Sequence, residues 1–222
     1  MRTWPRAGAG GDPDRLTEIY LWWMDRKDLE RVPKRGWIGF LEGQEPGCPE
    51  QVLAADFAHI RRKLEQIRNE DTSADTRLAD YLLDFNPAAT NSLTNLMLGG
   101  YFASGRIWAL HSRFRYFDPA ARRAGVPQDV GALVEKLGAD SAALTLVNVN
   151  PVEPRTVVVQ AGGLGEHRFA AVTAGGKTTP VGGPLLTVRL EPGCGARLEF
   201  RMTRYAHQPT LIHPWDRGLV GK

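Results

Sequence analysis

Leu144-Thr145-Leu146-Val147-Asn148 and, shortly after it, Arg155-Thr156-Val157-Val158-Val159-Gln160 are the stretches that decide the fold. Both are rich in β-branched residues and lie between Gly-, Pro- and Asn-containing breaks, which is the pattern of short strands. Further runs of the same kind follow at Glu166–Thr173, Lys177–Pro180, Leu185–Leu190 and Arg197–Thr203. Their turn signals include Gly175-Gly176 and Glu191-Pro192-Gly193-Cys194-Gly195. From Ala142 to Met202 the chain therefore reads as a mainly antiparallel β-sandwich.

Towards the N-terminus the code changes. Up to about Leu98 the apolar residues recur at helical spacing. Asp12-Pro13 reads as an N-cap and first helical position, and Leu16, Ile19, Tyr20 and Trp23 continue a helix to about residue 30. Trp22 and Trp23 point different ways, so both sides of this helix are expected to meet protein. Val32 to Gly36 breaks it, and Trp37, Phe40 and Leu41 form a short apolar turn before a second break at Glu42 to Gly47. Pro49 opens the clearest helix. Leu53, Phe57, Ile60, Leu64 and Ile67 mark one face, and Arg61, Arg62, Lys63, Glu65 and Arg68 the other. A short helix is expected over 75–83 and another over 88–98, with Leu93, Leu96 and Met97 inward and Gly99-Gly100 as its stop. These elements suggest antiparallel α-hairpins.

Between the two codes, Trp108, Leu110, Phe114 and Tyr116 alternate with His111, Arg113 and Arg115, which predicts a half-buried strand over 106–117. Asp118-Pro119 ends it. Val130, Leu133, Val134 and Leu137 predict a short helix over 127–137, stopped by Gly138. Residues 210–222 are expected to pack back as an edge strand or strap. The fold class is thus α+β: a disordered tail over 1–11, a helical region over 12–104, and a sandwich over 105–222 with one inserted helix.

Composition narrows the function. The 222 residues are 42% hydrophobic and 24% charged, and 28 Lys+Arg against 25 Asp+Glu leave a net charge of only +3. The basic residues are scattered, so no nucleic-acid patch is read. No apolar stretch approaches the roughly 18 residues of a membrane span. Met1-Arg2-Thr3-Trp4-Pro5 lacks an apolar core, so no secretory signal is read and a cytoplasmic location is expected. Cys48 and Cys194 have neither ligand spacing nor a CxxC partner, and are expected as free thiols.

The motifs of chemistry are sparse. No pair of histidines has metal-site spacing, so no metal and no cofactor are expected. There is no GxSxG elbow. Gly162-Gly163-Leu164-Gly165 follows a strand but precedes another strand, so it is read as a hairpin turn and not a phosphate loop. Asn148-Val149-Asn150-Pro151-Val152-Glu153-Pro154-Arg155 is read as a hairpin connection in which Glu153 and Arg155 pair. Carboxylates beside aromatic rings, as in Asp25, Asp28, Glu42 and Glu45 near Trp22, Trp23 and Trp37, or Asp80 and Asp84 near Tyr81 and Phe85, are how sugar sites are made. Asp84, His111, Arg113 and Arg115 are the candidate catalytic residues, at the junction between helices and sandwich.

The run Leu144 to Pro151 followed by Arg155 to Gln160 resembles the C-terminal β-sandwich of large bacterial carbohydrate-active and related proteins. The run Arg115-Tyr116-Phe117-Asp118-Pro119 and the terminal Pro214-Trp215-Asp216-Arg217 are similar to stretches of uncharacterised bacterial proteins of that kind. The resemblance covers about 85–217. It implies that the helical half is the end of an (α/α) toroid, and that the chain is a C-terminal portion or separately encoded subunit of a larger assembly. Its motifs are structural, so it carries over no catalytic residue. The reading that follows is a non-catalytic accessory module whose partner is another protein chain or a second copy, with carbohydrate as the ligand class considered. The alternative is a self-contained enzyme, such as a glycosidase or lyase, with an acid/base and Arg site at the junction. A carbohydrate-binding sandwich is disfavoured by its few aromatics, Phe169, Phe200 and Tyr205.

Overall fold

The computed structural model describes residues 13–77, 81–100 and 112–217. Helices α1 (Pro13–Trp23), α2 (Arg26–Leu29), α3 (Gly36–Leu41), α4 (Cys48–Arg68) and α5 (Asn91–Leu98) precede nine strands. These are β1 (Phe114–Asp118), β2 (Arg123–Ala124), β3 (Val130–Leu137), β4 (Ser141–Asn148), β5 (Arg155–Ala161), β6 (Arg168–Ala174), β7 (Lys177–Gly183), β8 (Leu185–Leu190) and β9 (Gly195–Thr203). They form two antiparallel sheets, ordered β2-β1-β5-β8 and β3-β4-β9-β6-β7. The α+β class holds. The expected tail over 1–11 and the start of the 106–117 strand, including Trp108 and His111, lie outside the described residues, as does the expected boundary between 104 and 105.

The helical region is more broken than its periodicity predicts. The helix expected to reach residue 30 stops at Met24, which is buried with φ at 59°. Asp25 restarts the chain as N-cap of α2, its carboxylate accepting from the Lys27 amide. The apolar turn at Trp37 to Leu41 is a helix, α3. The described parts of the 75–83 segment are 3-10 turns, at Ala74–Thr76 and Tyr81–Phe85.

The predicted helix over 127–137 is strand β3. The physical reason is a bulge: Val134 pairs with Leu144 and Lys136 with Ala143, leaving Glu135 as an extra residue. The bulge switches the side-chain parity. Val130, Val134 and Leu137 therefore all point inward, at a spacing that mimics a helical face.

Two expected hairpins are crossovers between sheets. The Asn148–Arg155 connection runs from β4 in one sheet to β5 in the other, and Gly162–Gly165 leads from β5 back to β6. Asn148 is fully buried, and its amide donates to the carbonyls of Glu153 and Glu191. Glu153 and Arg155 do pair, at 2.6 Å, and Arg155 also holds Asp129.

The core lies between the sheets. Phe114 and Phe169 both pack against Phe200 with tilted rings, centroids at 5.2 and 4.4 Å. Tyr20, Leu21 and Met24 of the first helical segment and Ile38 and Leu41 of α3 join the same buried cluster, so helices and sandwich share one core. The outer face of β1 is also covered. Phe117 is buried beneath Trp215 and His213, which stack on each other in the C-terminal strap.

The end of α5 shows how tightly helices meet sheet. Gly99 is its left-handed cap, at φ 62°. A Cβ there would sit 3.2–3.3 Å from Val134, Arg113 and Leu137 side-chain atoms. Gly99→Ala is expected to cost about 1.5 kcal/mol, combining the left-handed backbone with crowding. Chemical unfolding checks it; an unchanged midpoint would show that the α5 junction can yield.

Candidate functional site

Alternation puts Arg113 on the polar side of the 106–117 segment. It is instead 1% exposed, one residue before β1. Its Nη2 donates to the Leu21 carbonyl, and its Nε and Nη1 are buried with no hydrogen-bond partner. Arg204, just past β9, donates to the carbonyls of Trp22 and Trp23. Two arginines from opposite sheets thus converge on the C-terminus of α1. The last carbonyls of a helix lack intrahelical partners and carry the negative end of its dipole, so they suit cations. The cationic pair locks α1 to the sandwich.

The electrostatics follow from this arrangement. Burial, then the nearby Arg204, lowers Arg113 to about 10, so it stays charged at neutral pH. His167 is 2% exposed, and its Nδ1 accepts from the Tyr205 amide. Burial first, and then Arg113 and Arg204, press its pKa down to about 4. Glu166 sits 3.8 Å from Nε2, a distance that alone would favour the imidazolium. Its carboxylate is engaged by the Leu164 amide, and burial with two guanidinium charges outweighs it. His167 is a neutral, structural histidine at pH 7.

The other candidates are held elsewhere. Arg115 lies on the outer face of β1, where its guanidinium packs over Phe117 at 5.0 Å and donates to the Gly163 carbonyl. Burial first, and then the charge of Arg115, lower the pKa of the strap's Arg217. Asp84 is exposed in the 81–85 turn, and Lys63 of α4 donates to its carbonyl oxygen. No hydrogen bond or ion pair joins Asp84 to Arg113 or Arg115 among the described residues. His111 and Asp80 lie outside the described residues. Around Arg113 the structure brings together Arg204, His167 and Tyr205, which lie far from it in sequence.

The carboxylates placed near aromatic rings act as caps and pins. Asp25 caps α2, and Glu45 accepts from the Gly36 amide. Glu70 is held at about 2 by hydrogen bonds from Thr72 and Tyr81, which fasten the 81–85 turn to the end of α4. His59, Lys63 and Gln66 face Tyr81 and Phe85 across an open groove of about 750 Å³. Cys48 is buried and Cys194 exposed, and both are free thiols. No group of three or more His, Cys, Asp or Glu among the described residues is placed to hold a metal ion. No helix among them is long and apolar enough to cross a membrane.

The apolar face of α4 departs most from expectation. Phe57 is 60% exposed, Ile67 43% and Leu64 39%. Leu53 and Ile60 are half-buried, and Cys48 is the buried residue of the helix. Leu83 and Leu93, on elements packed against α4, are exposed as well. Helical spacing marks an apolar face but does not say whether anything covers it.

A family model described as a domain of unknown function (DUF8034) matches residues 20–94, from within α1 to within α5. None of the curated proteins matches the chain. Among solved structures, the chain is similar to a Bacteroides fragilis protein described as a "putative alpha-galactosidase", at 20% identity and a TM-score of 0.28. That similarity covers 33% of this chain, which spans 16% of the other protein's length.

Proposed function

We propose that the chain is a non-catalytic accessory module whose helical part docks onto another protein through α4. The observation that carries this reading is the open apolar stripe of Phe57, Leu64 and Ile67. Large apolar side chains scattered singly over a surface need no explanation, but a contiguous row along one helix marks an interaction surface. The arginine cluster at the α1 terminus supports the same reading. Arg113 and Arg204 are spent on fixing a helix, which makes the sandwich a rigid mount for the helical region. The sequence resemblance suggests that the partner acts on carbohydrate.

A photo-cross-linking residue placed at Phe57, and separately at exposed Val152 on the sandwich, tests this in cells that produce the protein naturally. The expected result is one discrete protein adduct from position 57 and none from 152. The captured protein, purified, should then bind the wild-type chain and lose at least about tenfold in affinity for each of Phe57→Ser and Leu64→Ser. Identical adducts from both positions, or affinity indifferent to both substitutions, would sink the reading.

A further inference from the structure

We infer that the element seated on α4 is an amphipathic helix with an apolar heptad seam and acidic flanks. This rests on the docking reading above and specifies its partner. The first argument is spacing. Leu53, Phe57, Ile60, Leu64 and Ile67 follow one another at alternating steps of four and three. That spacing matches the a and d positions of two heptads, so a second helix can lie along the row. The seam runs roughly 21 Å along the helix, long enough for two heptads of a partner.

The second argument is charge. In heptad terms Phe57 and Leu64 are a positions, and Leu53, Ile60 and Ile67 are d positions. The e flank is then Ala54, Arg61 and Arg68, all exposed. The g flank is Asp56 and Lys63, and Lys63 is already engaged with the 81–85 turn. Both charges in the open e row, Arg61 and Arg68, are therefore cationic, with exposed Glu65 one row further from the seam. Charges at e and g positions select the partner. A second copy fits poorly. Antiparallel pairing would set Arg61 against Arg68. Parallel pairing would offset its one attractive contact, Asp56 with Arg61, by setting Lys63 against Arg68. Glutamates or aspartates on the partner would face Arg61 and Arg68 instead.

The test uses the full chain and three synthetic peptides of three heptads each. They share Leu at every a and d position and differ in carrying Glu, Gln or Lys at every e and g position. Fluorescence anisotropy at low salt is expected to rank them Glu, Gln, Lys, with at least about a tenfold step between Glu and Lys. The preference should collapse in 1 M salt, where the screening length falls to about 3 Å. The double variant Arg61→Glu with Arg68→Glu should reverse the order while leaving the circular-dichroism spectrum unchanged. Equal binding of all three overturns the acidic-helix inference but leaves apolar docking intact. Binding of none also overturns it, and the docking reading then depends on the Phe57 cross-link alone. A wild-type chain that sediments as a dimer, and becomes monomeric on Leu64→Glu, overturns it in favour of a second copy.

Discussion

Asn148→Ala is expected to destabilise the protein by about 3 kcal/mol. The side chain is completely buried where β4 ends. Its amide donates to the Glu153 carbonyl at 2.9 Å and the Glu191 carbonyl at 3.2 Å, with a longer contact to Leu190 at 3.4 Å. Its Oδ1 accepts from the Asn150 amide at 3.0 Å. One residue thus binds the β4–β5 crossover to the turn between β8 and β9. Truncation removes the bonds that hold this crossover, each worth about 1 kcal/mol net, and leaves a void at a fully buried position. Asn148→Leu should be no better, because it fills the void without restoring these bonds. Asn148→Asp should be worse than conservative shape suggests, since a carboxylate accepts and cannot donate to carbonyls. Urea unfolding with unchanged slope measures all three; a loss under about 1 kcal/mol for the alanine variant would show that water replaces the amide.

Acid sensitivity is the second large effect. His167 has an ordinary pKa of 6.5 when unfolded and about 4 when folded. The unfolded chain therefore binds the extra proton between these values and the folded chain does not. Stability that His167 leaves intact above pH 6.5 is lost as pH falls towards 4. The loss is about 2 kcal/mol once residual solvation of the site is allowed for. His167→Gln keeps an acceptor for the Tyr205 amide and cannot titrate. It should unfold with a shallower pH dependence over this window, while carboxylate titration below pH 4 stays the same. Parallel pH profiles for the two proteins would mean that the buried imidazole protonates freely.

Both sites show where the sequence is readable and where it is not. The strands β5 and β8 carry β-branched runs between clear turn signals, and their limits were legible almost to the residue. β3 was not, because a single bulged residue, Glu135, converts the period of a strand into the period of a helix. The two crossovers were legible as turns, but a turn signal does not say which sheet the next strand joins. Arg113 was legible as a polar residue on a strand and not as a buried one. The groups that make its environment, Leu21, His167, Arg204 and Tyr205, come from three other parts of the chain, and no local pattern links them. The α4 stripe is the opposite case. Every residue of it was legible, and only the solvent on top of it was not.

The edges of the five-stranded sheet add a constraint on how this chain joins anything larger. Its outer strands are β3, interrupted by the Glu135 bulge, and β7, which carries Pro180 and follows an irregular register with β6. A bulge twists an edge away from incoming strands, and a proline removes a donor from the row that would pair with them. Among the described residues, both rims of that sheet thus discourage growth by adding a neighbour's strand. At this sheet, a neighbouring chain would meet side chains and not an open backbone ladder.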